Sequence, residues 1–206
     1  MCTVERHDPT VVAFHEAGHA VVTILVGWKE RISEVAITPD DPKRGGYTKY
    51  NLPSGKAPIN ERFREISKRF AGPVSQVLFA NETICEPYKS LFKTGVLDHL
   101  RSIDDLNRAK CPYWYSDLKE WLNCVAAEEE EKKAHFEPSN MCRPYTVSEC
   151  FLRAWQVRPR VAKSIAKLAE CLEAQPCLSG LLTRKLVEPL LESDDFVDEQ
   201  TIENFA

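Results

Sequence analysis

No apolar run in this chain is long enough to cross a bilayer, which takes about 18–20 residues. The longest, Ala20 to Val26, is short and contains Thr23. The segment from Met1 to Asp8 is charged and has no apolar stretch of the signal-peptide kind, so a cytoplasmic protein without a membrane segment is expected. The eight cysteines (Cys2, Cys85, Cys111, Cys124, Cys142, Cys150, Cys171 and Cys177) contain no C-x-x-C pair. Neither a zinc ribbon nor a disulfide framework is therefore indicated, and most read as free thiols, several of them buried as small hydrophobes. Positive charge is not in excess either. The formal net charge is −4, which gives no reason to expect a nucleic-acid partner. No G-x-x-x-x-G-K-[ST] phosphate loop occurs, and Ser54-Gly55-Lys56-Ala57 reads as a turn. Internal repeats are also absent.

What remains is an ordinary globular composition, 43% hydrophobic and 28% charged over 206 residues, enough to bury one core. Within it one pattern stands apart. His15-Glu16-Ala17-Gly18-His19 lies inside the otherwise apolar stretch from Val11 to Val26. On a helix, positions i and i+4 share a face, so His15 and His19 can both direct an imidazole nitrogen at one metal ion. Glu16 lies about 100° round the helix from His15. From there it can hold and deprotonate a metal-bound water. The competing reading is a pair of core histidines that happen to be four apart.

The surrounding chain supplies a frame for this motif. Asp8 or Thr10 can cap a first helix, with Pro9 in its opening turn and Gly27 as its stop. Ile32, Val35 and Ile37 predict a short strand halted at Pro39-Asp40-Asp41-Pro42, and Tyr47 to Tyr50 a second, polar enough for a sheet edge. Helical spacing of Phe63, Ile66, Phe70, Val74 and Val77 predicts a helix from about Asn60 to Phe79. Ala71-Gly72-Pro73 should kink or thin it and allow close approach to something. Further helices are expected after Ser102, from Trp114 to about Lys133, and after the capping box Thr146-Val147-Ser148-Glu149. Pro159 should kink or break the last of these. A final helix carries Leu181, Leu182, Leu186, Leu190 and Leu191, whose spacing reads as core packing. The acidic run Glu128 to Glu131 reads as a solvated helix face.

A hydrolytic zinc site needs three protein ligands and an open fourth position. No histidine occurs between His19 and His99, so the third ligand must come from far along the chain. Asp98 to Leu106 offers the best supply: Asp105, Asp104 and His99 are the candidates. Ser102 and Asp105 also fit a capping box, which alone would account for the aspartate. Cys85 or Cys111 capping the metal is a minor alternative.

Several segments, taken in order, resemble the peptidase domain of the FtsH family of ATP-dependent zinc proteases. Phe14-His15-Glu16-Ala17-Gly18-His19-Ala20-Val21 looks like that family's active-site helix. Gly45-Gly46-Tyr47-Thr48 is similar to its G-[GY]-Y-T strand edge, and Phe70 to Leu78 to its A-G-x-x-A-E-E helix, with Gln76 at a glutamate position. Asp105-Leu106-Asn107-Arg108-Ala109 resembles the segment whose aspartate is the third zinc ligand. Cys177-Leu178-Ser179-Gly180 is like the turn joining the last two helices. The resemblance implies that His15, His19 and Asp105 hold Zn2+ and that Glu16 is the general base. It also implies a mainly α fold, a helical bundle with a small two- to three-stranded sheet beside the motif helix. A single domain over residues 1–206 is expected, with an active-site half over about 1–112 and a helical half over about 113–206.

The expected function is then a soluble, ATP-independent zinc metalloendopeptidase acting on peptides or unfolded segments, since no ATPase accompanies the domain. The Gly46-Tyr47-Thr48 edge can take up substrate as an added strand; Tyr47 reads as packing rather than as an oxyanion helper. A homo-oligomer or an ATPase partner in trans is compatible with this reading. Two other readings compete: an inactive or latent zinc-binding regulatory module derived from such a peptidase, and an amide hydrolase that processes one partner protein.

Overall fold

The computed structural model describes residues 8–41, 45–51, 62–79 and 155–200, with some side chains inside 62–79 left out. The predicted helices between residues 102 and 154, together with Asp105, Asp104, His99, Cys85 and Cys111, lie outside the described residues. Within them the chain is mainly helical with one small antiparallel sheet.

Helix α1 spans Pro9–Leu25 and opens as its sequence predicts. The Asp8 carboxylate accepts from the Thr10 amide at 2.9 Å, and Pro9 fills the first turn, where its missing N–H costs nothing. Gly27 ends the helix at φ 82°. There the Gly27 amide donates to Ile24 and the Trp28 amide to Thr23 (3.0 and 2.9 Å), satisfying carbonyls the last turn leaves open. From His15 to Leu25 every residue of the helix is buried. A helix enclosed on all sides belongs in the centre of a domain, and α1 does occupy that place.

Among the described residues three layers cover it. Helix α2, Arg62–Phe79, crosses one side, with Ala71, Val74 and Ser75 fully buried. The crossing is close because Gly18 faces it: a Cβ there would stand 2.1 Å from Ser75 Oγ and 2.7 Å from the Ala71 carbonyl. The helix runs through Pro73 without a break. A proline in its interior forfeits one ladder hydrogen bond, and burial against α1 holds the segment helical regardless. Phe14 stacks on Phe79 at 5.9 Å between centroids.

Helix α3, Pro159–Ala174, covers a second side with Val161, Ile165, Leu168 and Leu172. Pro159 proves to be its first residue, so the expected break is a helix start.

The sheet covers a third side. Strand β1 is Ile32–Ile37 and β2 is Gly46–Tyr50, paired antiparallel with Val35 opposite Thr48, Ala36 opposite Tyr47 and Ile37 opposite Gly46. Cys177-Leu178-Ser179, expected as a turn, is instead a third strand, β3, that pairs antiparallel with β1: Val35 opposite Leu178, Ala36 opposite Cys177. Among the described residues the strand order is β2-β1-β3, with β2 at an edge as its polar sequence suggests. Helix α4, Gly180–Val187, follows at once. Of the expected core leucines, Leu182, Leu186 and Leu191 pack against the core, whereas Leu181 is 56% exposed; Thr183 and Val187 take the fully buried positions of the helix. In a two-turn helix that starts at a sheet edge, position relative to β3 decides the buried face, and leucine spacing alone does not reveal it. Among the described residues no helix is long and apolar enough to cross a membrane.

Candidate metal centre

His15 and His19 sit one turn apart on α1, both buried (1% and 7% exposed), in an environment where an unpaired imidazole would be costly. Their Nε2 atoms converge to 3.0 Å, with the rings nearly perpendicular at 79°. The far nitrogen of each ring is tied to α2. His19 Nδ1 lies 2.7 Å from the Lys68 carbonyl, which can only accept, so Nδ1 carries the proton. His15 Nδ1 lies 3.2 Å from Gln76 Oε1, also an acceptor. With Nδ1 of each ring against a group on α2, the Nε2 atoms are the nitrogens turned toward each other, at 3.0 Å. Imidazole pairs of this kind suit zinc and other late first-row metals, and the hydrogen bonds behind them fix tautomer and ring orientation. The donor set therefore fits a metal ion.

Lys68 owes its position to more than the helix. Its side chain is buried, with Nζ 4.3 Å from the Tyr50 ring centroid and 5.7 Å from that of Trp28. Arg31 stacks over the same Trp28 at 3.9 Å. The two Lys68 cation–π contacts pin the turn of α2 whose carbonyl orients His19.

Glu16 faces another way. It is 3% exposed and turned toward β2 rather than α2. Thr48 Oγ1 donates to its Oε2 at 2.8 Å. Gly46 crosses beside it so closely that a Cβ would stand 2.8 Å from Glu16 Cγ and 2.9 Å from Oε1. The two sides of one helical turn thus present two imidazoles to α2 and one carboxylate to the edge strand. Tyr47, next to Thr48 on β2, belongs to the opposite face of the sheet, where its hydroxyl donates to Glu34 at 2.7 Å.

Among the described residues no group of three His, Cys, Asp or Glu side chains is gathered for a metal; Asp105, the third ligand implied by the family resemblance, lies outside them. Sequence reasoning did not single out Gln156, fully buried, whose Nε2 donates to the Ala71 carbonyl at 3.0 Å and whose Oε1 accepts from Ser75 at 2.9 Å. No motif marks a lone glutamine one residue after a tryptophan, and only the fold brings it to α2.

Compared with known proteins, the sequence matches no protein-family model and none of the curated proteins.

Proposed function

We propose that this chain is an ATP-independent zinc metallopeptidase of the FtsH peptidase type, cleaving peptide bonds in peptides or unfolded segments of cytoplasmic proteins. The observation that carries the reading is the convergence of His15 and His19 Nε2 at 3.0 Å on the same helical turn that turns Glu16 to Thr48.

His15 and His19 would hold the ion, with Asp105 as the third ligand. Zinc bound by two imidazoles and a carboxylate supplies Lewis acidity, lowering the pKa of a ligated water toward about 7 and polarising a carbonyl. Glu16 accepts the proton of the attacking water and returns it to the leaving amine. Thr48 holds one carboxylate oxygen, so the base does not have to find its orientation in each turnover. Substrate adds to the outer edge of β2 in extended form, through main-chain hydrogen bonds that read little sequence. Gly46, without a side chain, lets that strand pass close over Glu16.

Glu16→Gln tests the reading. It should retain one zinc per chain and lose chelator-sensitive cleavage of casein or a denatured protein. Cleavage that survives the substitution refutes the role of Glu16. Zinc bound by a wild-type chain that cleaves nothing would leave the latent binding module instead. Asp105→Ala should lose zinc; unchanged zinc content transfers the third ligand to Asp104 or His99.

A further inference from the structure

Gly72 stands in the middle of α2, where glycine is among the poorest helix formers. Its backbone does not require it, because the positive-φ glycine of the described residues is Gly27. What distinguishes Gly72 is the space beside it. A Cβ on residue 72 would stand 2.4 Å from His19 Nε2, 2.7 Å from His15 Nε2 and 2.7 Å from His19 Cδ2. The missing side chain faces the two converging nitrogens and nothing else comes closer.

Neither side of this contact can yield. Each imidazole is tethered at Nδ1, His15 to Gln76 and His19 to the Lys68 carbonyl, so a ring that swings away from residue 72 breaks a buried hydrogen bond. Helix α2 cannot retreat, because Gln156 clamps its Ala71 carbonyl and its Ser75 hydroxyl on either side of Gly72. Ser75 is in turn seated against Gly18 of α1. The register of the crossing is thereby fixed with residue 72 over the histidine pair.

We infer that Gly72 is a positioning residue for the metal: only a hydrogen at this position lets both Nε2 atoms stay convergent, and the α2 backbone forms the closed wall of the site. This rests on the metal reading proposed above. A side chain at residue 72 would remove zinc without altering any ligand.

The test is Gly72→Ala in the full chain, measured by zinc affinity against a chromophoric chelator and by thermal unfolding of the metal-free protein. Zinc affinity should fall at least about 100-fold, beyond the usual 10–100-fold range for outer contacts. The melting temperature of the metal-free chain should fall by about 5 °C or more. A second background keeps the test decisive if the alanine variant folds poorly. In His19→Ala two of the three crowded atoms are gone and only His15 Nε2, at 2.7 Å, still stands against a Cβ, so Gly72→Ala should lower the melting temperature clearly less than it does in the wild-type background. Wild-type zinc affinity in Gly72→Ala, or an equal loss of melting temperature in both backgrounds, overturns the inference while leaving the metal reading in place. A wild-type chain that binds no zinc overturns both, even if the thermal coupling between residues 72 and 19 persists.

Discussion

Replacing Thr48 with valine removes one hydroxyl and almost no volume, which makes it a clean probe of how the carboxylate of Glu16 is held. The lost contact is a 2.8 Å hydrogen bond from Oγ1 to a carboxylate oxygen. Hydrogen bonds to charged groups contribute about 1.5–3 kcal/mol. Thr48 is only half-buried, so water partly replaces its hydroxyl and the lower end of that range applies. About 1.5–2 kcal/mol corresponds to roughly a 10- to 30-fold loss in kcat, at about 1.4 kcal/mol per factor of ten. KM should hardly move, since the hydroxyl orients the base and leaves the outer edge of β2 intact. Steady-state cleavage of a quenched fluorescent peptide, with zinc content measured in parallel, reads both quantities. Thr48→Ser keeps the donor and should restore most of the rate. A valine variant within twofold of wild-type kcat, or a serine variant as impaired as valine, would refute the orienting role.

Three other perturbations follow from contacts described above. Gln76→Leu deprives His15 Nδ1 of its acceptor and should weaken zinc binding by about 10- to 100-fold in a chelator competition, whereas unchanged affinity would mean that the ring needs no such support. Gly180→Ala forces a Cβ to 1.8 Å from the Ile32 carbonyl at the junction of β3 and α4; a cost of about 3 kcal/mol should lower the melting temperature by about 6–12 °C for a chain of this size, as calorimetry would show. Asp195 offers a pH test. Burial pushes its carboxyl up, but the Glu192 amide and the Arg160 and Arg158 guanidinium groups outweigh burial and hold it below the ordinary carboxylate value. Its contribution to stability is therefore complete above about pH 4 and is lost as pH falls through the lower folded-state value. With Arg160 substantially solvated, about 1–2 kcal/mol is at stake. Asp195→Asn should melt about 2–8 °C lower at pH 7 and converge with wild type near pH 2; a constant gap across that range would rule out the ion pair as its cause.

The parts of the fold legible in the sequence are those set by local rules. Asp8, Pro9 and Gly27 mark the ends of α1 by capping chemistry that involves neighbours a few residues away. His15 and His19 are legible for the same reason, since helical periodicity alone brings i and i+4 together. The alternation of Val35 and Ile37 reveals β1 because one face of the sheet is buried. What the sequence conceals is decided by tertiary placement. A three-residue strand such as Cys177–Ser179 has no room for a period and exists because β1 offers an edge. Leu181 has the right chemistry for a core and the wrong side of its helix. Gln156 has the wrong chemistry for a core and is buried completely, since Ser75 and the Ala71 carbonyl satisfy it. Gly72 is the intermediate case. A glycine beside a proline inside a helix announces a close approach, but only the crossing of α1 and α2 names the histidines as what is approached.

The position of β3 bears on how the protein is made. Strand β1 acquires its second neighbour only from residues 177–179, and the last carbonyl of α1 receives the amide of Val197 at 3.0 Å. During synthesis at about 5–20 residues per second, the histidine helix leaves the ribosome many seconds before the segments that cover it. Pairings this distant along the chain form slowly. For that interval the nascent α1 exposes an almost wholly apolar surface, a natural client for a chaperone. The motif is therefore synthesised well before it can be enclosed: a chain interrupted before β3 would hold α2 and β2, which contact His15, His19 and Glu16, but would lack the strand that completes the sheet and the Val197 amide that closes the end of α1.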